Sequence, residues 1–175
     1  MKKALVALPL LLVAVLAAAL YGALHNQISY TVANEYFTKF KFVQFGLTTA
    51  GLPDRAAAGL VGVFASWWMG IPLGIILTGV GFIQRTYKRM FLVTLQSFLV
   101  VVVVALVVGL VGLLYGFIQT QSFELAEYVG WYIPENLEQP RRFLCAGYMH
   151  NSSYLGAVVA LPLAITYQIW RRKDK

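Results

Sequence analysis

A single cysteine, Cys145, and two histidines, His25 and His150, occur in 175 residues. One thiol excludes an internal disulfide framework and any multi-cysteine metal cluster within the chain. It also disfavours a membrane thiol oxidoreductase, which relays electrons through cysteine pairs. Charge is scarce: Asp, Glu, Lys and Arg make up 12% of the chain, against about 25% in a soluble domain. Residues 4–24, 56–83, 91–118 and 153–170 carry no charge at all. Ion-coupled transporters and voltage sensors place ionisable groups within their spans, so both classes lose weight. No P-loop, GxSxG, HExxH or CxxC pattern occurs, which removes common signatures of nucleotide, hydrolase, zinc and thiol-redox chemistry.

What remains is apolar. A hydrophobic content of 59% and a mean hydropathy of +0.71 exclude both a water-soluble globular domain and disorder. About 20 mainly apolar residues cross a hydrocarbon core about 30 Å thick, and each uncharged stretch is of that order. In lipid every peptide group must be satisfied within its own helix or a closed barrel, and the alternation of barrel strands is missing. The sequence therefore predicts an all-α polytopic membrane protein, a bundle of four transmembrane helices in one domain. The second and third stretches, 28 residues each, would run roughly 42 Å and must tilt or protrude. Pro9, Pro72 and Pro162 lie inside three of them and are expected to kink their helices.

The cations set an orientation. Lys2, Lys3, Arg85, Lys88, Arg89 and the tail from Arg171 to Lys175 put nine basic residues and one acidic residue on one side. The other side has five basic and six acidic residues. Lys and Arg in short connections mark the cytoplasmic face, so both termini and loop 84–90 are expected inside, with loops 25–55 and 119–152 outside. The location implied is a plasma or inner membrane. The net charge of +7 is then a topology signal, and nucleic acid is rejected as a partner. Lys2-Lys3, an apolar run and Ala17-Ala18-Ala19 also resemble a cleavable secretory signal. The run continues to Leu24, longer than a usual signal core, which favours a retained first helix.

The first outer loop is rich in aromatic residues. Tyr36, Phe37, Phe40, Val43 and Leu47 follow helical spacing, Glu35 and Lys39 form an i, i+4 pair, and Asn34 suits an N-cap. A short interfacial helix is expected there, with its rings in the headgroup layer. The second outer loop holds the anchor-like Tyr128-Val-Gly-Trp-Tyr and then the densest set of reactive side chains, from Arg141 to Tyr154.

Candidate sites follow from those loops. His25, Glu35 and His150 could act as acid–base groups, with Arg141 and Arg142 clamping an anion or a lipid headgroup. His25, Cys145, Met149 and His150 could together hold a soft metal such as Cu(I), since Cys145 and Met149 share a helical face. The bland alternatives are interfacial histidines and arginines paired with loop carboxylates. Trp67-Trp68 falls near mid-span, where its indoles need partners such as Ser66, Gln96 or Ser97. Gly70 and Gly74, and Gly112 and Gly116, have the GxxxG spacing of close helix packing, within the bundle or at an oligomer seam.

For function, charge-free spans and glycine-lined helices favour a non-enzymatic accessory, scaffold or assembly subunit contacting lipid, a protein partner or further copies of itself. The alternative is a membrane-face enzyme or redox or metal protein acting on a lipid, quinone or metal. A small uncoupled channel or carrier is a weaker third. The sequence assigns no cofactor. Whether the outer loops fold together into a polar pocket roofing the helices separates these readings: the site reading gains if His25 and Glu35 approach Arg141 or His150, and fails if the loops diverge.

Overall fold

The computed structural model describes residues 2–48, 50–122, 124–128 and 130–173; Asp174 and Lys175 of the basic tail lie outside these. Four helical spans are long and apolar enough to cross a membrane, and no strand occurs among the described residues. In order, α1 is Lys2–Val32, α2 and α3 are the short helices Asn34–Tyr36 and Phe42–Gln44, and α4 and α5 are Asp54–Ser66 and Gly70–Gly81. Tyr87–Gln119 forms α6 and Pro140–Lys173 forms α7. Both termini and the α5–α6 connection sit together at one end: Lys3 Nζ donates to the Phe82 carbonyl at 2.9 Å, and Arg89 donates to the Arg171 carbonyl. This termini end is opposite the loop end, where the described residues of 33–53 and 120–139 lie.

Every span outruns its uncharged stretch except α4–α5, which is shifted slightly. The largest difference is in α7, which starts at Pro140 rather than near Ser153. Residues 141–152 are polar on one face only. Phe143, Leu144, Cys145, Ala146 and Met149 are buried, and that periodic burial extends the helix beyond the apolar run. Pro9 and Pro162 remain inside continuous helices. The second span changes pitch at Trp67–Met69, a 3-10 turn just before Pro72, whose missing N–H and ring disrupt the preceding helical turn. A break in lipid must be satisfied internally. Trp68 Nε1 donates to the Ala65 carbonyl at 2.8 Å.

Small residues set the helix crossings. A Cβ on Gly112 would lie 2.0 Å from Ser152 Oγ, and one on Gly116 3.1 Å from Cys145 Cα, so both face α7. Gly70 and Gly74 face α1: added Cβ atoms would meet Val15 Cα at 2.5 Å and Ala14 Cβ at 2.8 Å. The tightest crossing joins Gly22 of α1 to Gly62 of α4, where an added Cβ would come within 2.1–2.2 Å of the opposite carbonyl oxygen. Without a hydrophobic force between helices in lipid, such close backbone packing is what holds a bundle together. α1 presents Leu5, Leu8, Leu12, Leu16, Leu20 and Leu24 outward on its other face, the surface lipid tails would cover.

Residues 34–44 coil in three helical pieces, with a π-turn at Phe37–Lys41 between α2 and α3. Asn34 does not cap: Ala33 occupies that position, with no side-chain bond. The wider π-turn brings i and i+5 onto one face, so Phe42 lies beneath Phe37, ring centroids 6.1 Å apart, and Val43 points outward, 62% exposed. The rings pack on the protein rather than outward. Tyr36, Phe37 and Phe42 form a core with Ala57, Ala58 and Val61 of α4 and Phe143 and Ala146 of α7. Gly46, at φ 66°, ends the segment in a Schellman motif: Leu47 N–H donates to Phe42 O at 2.8 Å and Gly46 N–H to Val43 O at 3.2 Å.

Candidate functional site

His25 of α1 and His150 of α7 meet at the loop end, their rings edge-to-face with centroids 4.7 Å apart. Each is held by a serine of the opposite helix. His25 Nε2 shares a hydrogen bond with Ser153 Oγ at 2.9 Å, and His150 Nε2 shares one with Ser29 Oγ at 3.1 Å. Tyr36 stacks on His150 at 4.9 Å, and Tyr21 lies 5.6 Å from His25. The glycines make this possible. Gly109 leaves room for Ser153, whose Oγ would sit 2.1 Å from a Cβ there. The Gly22–Gly62 crossing draws α1 onto α4, and Asn26 Nδ2 secures it by donating to the Ala58 carbonyl at 2.9 Å.

Below the histidines is a cavity of about 90 Å³, lined on the apolar side by residues including Ala17, Met69, Gly70, Phe98, Val101 and Ala105. Its polar lining includes Tyr21, His25, His150 and Tyr154. A second cavity, about 260 Å³, shares Asn26, Ala65, His150 and Tyr154 with the first and runs to Lys41, Gln44, Phe64, Trp68 and Asn151. The two cavities adjoin at these shared residues: the first lies among α1, the α4–α5 junction, α6 and α7, and the second is a groove between α4 and α7 beneath the 34–45 segment. Phe64, Trp68 and Tyr154 on its flanks are 45–49% exposed, so the groove faces the surroundings laterally.

The other expected site residues do not join the histidines. Glu35 accepts from the N–H groups of Glu138 at 3.0 Å and Gln139 at 2.7 Å and pairs with Lys39 at 2.5 Å. It anchors the chain entering α7. Burial alone would raise its carboxyl, but the Lys39 and backbone hydrogen bonds outweigh this and hold it below the usual glutamate value. Arg141 donates to the Phe117 carbonyl at 2.8 Å and to Thr120 Oγ1 at 3.2 Å, serving the open C-terminus of α6. Arg142 lines a separate polar hollow with Arg55, Tyr30 and Asn34. Cys145 and Met149 are buried beside Leu113 of α6, and the thiol meets Thr120 Oγ1 at 3.6 Å. Among the described residues no group of three His, Cys, Asp or Glu side chains could hold a metal.

The tryptophan environment also differs from expectation. Ser66 donates to Gly62 O at 2.6 Å, Ser97 donates to Val93 O at 2.9 Å, and Gln96 accepts from Tyr167; none serves an indole. Sequence reasoning missed Gly22, Ser29, Tyr36, Lys41 and Ser153. A signal was present for some: Gly22, His25, Asn26 and Ser29 fall on one helical face and are all buried. Lys41 lies on the π-turn, which no spacing rule announced. No protein-family model, curated protein or solved structure matches the chain.

Proposed function

We propose that this chain is a membrane protein that binds an amphiphile in the α4–α7 groove, head toward the 34–45 segment and tail toward the deep pocket. The observation that carries the reading is the graded polarity of two cavities sharing four residues. Apolar walls lie deep, imidazoles and tyrosines lie at the neck, and a lysine with three amides lines the mouth. Ligand sites combine such apolar walls with a few convergent polar groups. The size of the deep pocket refines this. About 90 Å³ is less than the roughly 150 Å³ of a cavity that accepts benzene, so it admits the end of a slender chain. With both termini cytoplasmic, as the cations favour, the groove faces the outer leaflet of a plasma or inner membrane.

Binding without chemistry fits the histidines, whose Nε2 atoms are engaged by serines. The four glycines of the two GxxxG pairs face helices of the same chain, which weakens the argument for a glycine-lined oligomer seam. Native mass spectrometry of protein extracted in neutral detergent tests the binding role. A retained lipid-sized mass is expected, and it should disappear in Ala17→Phe, which fills the deep pocket. Protein recovered free of ligand, and binding none when amphiphiles are returned, would overturn the reading.

A further inference from the structure

The charge at the groove mouth specifies the ligand's head. Two lysines lie on the π-turn. Lys39 pairs with Glu35 and also donates to the Asn136 carbonyl. Lys41 has no carboxylate partner among the described residues; its ammonium donates to Gln44 Oε1 at 2.8 Å. It lies 4.2 Å from the centroid of Phe40 and 5.6 Å from that of Tyr36, and it lines the mouth cavity with Gln44, Asn26 and Asn151. An ammonium held among rings and neutral amides attracts an anion strongly because little water screens it. Burial pushes Lys41 below the ordinary lysine value, the direction an anionic partner would reverse. The neighbouring side-chain amides of Gln44 and Asn151 suit carboxylate or phosphate oxygens.

We propose that the amphiphile is a single-chain anion, its carboxylate or phosphate held by Lys41 and its hydrocarbon chain laid along the α4–α7 groove into the deep pocket. This rests on the amphiphile-binding reading above and adds the head-group class and the chain number. The test compares palmitate, cetyl phosphate and hexadecanol for retention by the full chain in phosphatidylcholine nanodiscs. At least one anion should bind about tenfold or more tightly than the alcohol, and the tighter of the two identifies the head. Lys41→Gln should abolish that preference, bringing the anions to the level of the alcohol; Lys41→Arg should keep it and controls for folding. Equal binding of anions and alcohol by the wild type would overturn the anionic head while leaving the groove reading intact. Retention of none of the three would overturn both.

Discussion

At the loop end, His25, Ser29, His150 and Ser153 bond side chain to side chain around an open groove. At the termini end Gln84 and Gln168 are fully buried, and their bonds run differently. Gln84 Nε2 donates to the Gln168 carbonyl at 2.8 Å and Gln168 Nε2 to the Leu77 carbonyl at 2.9 Å, tying side chains to neighbouring helix backbones. Polar residues buried between apolar helices therefore serve two ends here. One set fastens helix ends together; the other lines a space and is positioned by glycines. The distinction is in the partner, not in the residue type.

Substitutions can break that contrast. The largest effect is expected at the crossing that supports the groove. Gly62→Leu would drive a side chain into the Gly22 backbone, which cannot rotate away, and should cost about 3 kcal/mol or more in reversible unfolding. Gly79→Leu has nothing within 4 Å of its new Cβ and should change stability by less than about 0.5 kcal/mol; equal effects of the two would contradict the crossing. Ala17→Phe should leave the unfolding midpoint close to wild type while removing ligand retention, separating lining from fastening. Gln168→Leu should cost about 0.6–1.7 kcal/mol, the range for buried hydrogen bonds in a bilayer, with ligand retention unchanged.

The smallest effect concerns Glu35. Its carboxyl is lower in the folded protein than its ordinary value of 4.5, so its contribution is complete above that value and fades as pH falls through the folded one. Protease sensitivity of residues 120–139 should therefore rise in acid below about pH 4.5, and Glu35→Gln should show that sensitivity already at neutral pH. An acid profile identical in wild type and variant would remove Glu35 from this role.

How much of this the sequence disclosed depends on which force placed each residue. The four helices were legible because the bilayer argument needs only length and lack of charge. The outward extension of α7 was not, since residues 141–152 read as polar when only the apolar run is followed, although Phe143, Ala146 and Met149 keep helical spacing. The meeting of His25 and His150 was legible as an option, both lying at the same end of their helices. Listing Glu35 and Arg141 beside the histidines took no account of helix ends, which recruit charges: Glu35 accepts from the chain entering α7, and Arg141 donates to the end of α6. The groove itself arises from where α4 and α7 stand apart, and no pattern within either helix encodes that gap.

The central claim is that a hydrocarbon chain occupies the α4–α7 groove. Photolysis of the membrane-embedded protein with a long-chain amphiphile bearing a diazirine at its tail end, followed by peptide mapping, tests it most directly. Labelling is predicted on the peptides carrying Met69, Phe98 and Tyr154, and should be lost in Ala17→Phe. Labelling confined to the outward leucines from Leu5 to Leu24, with those peptides unmarked, would contradict the account.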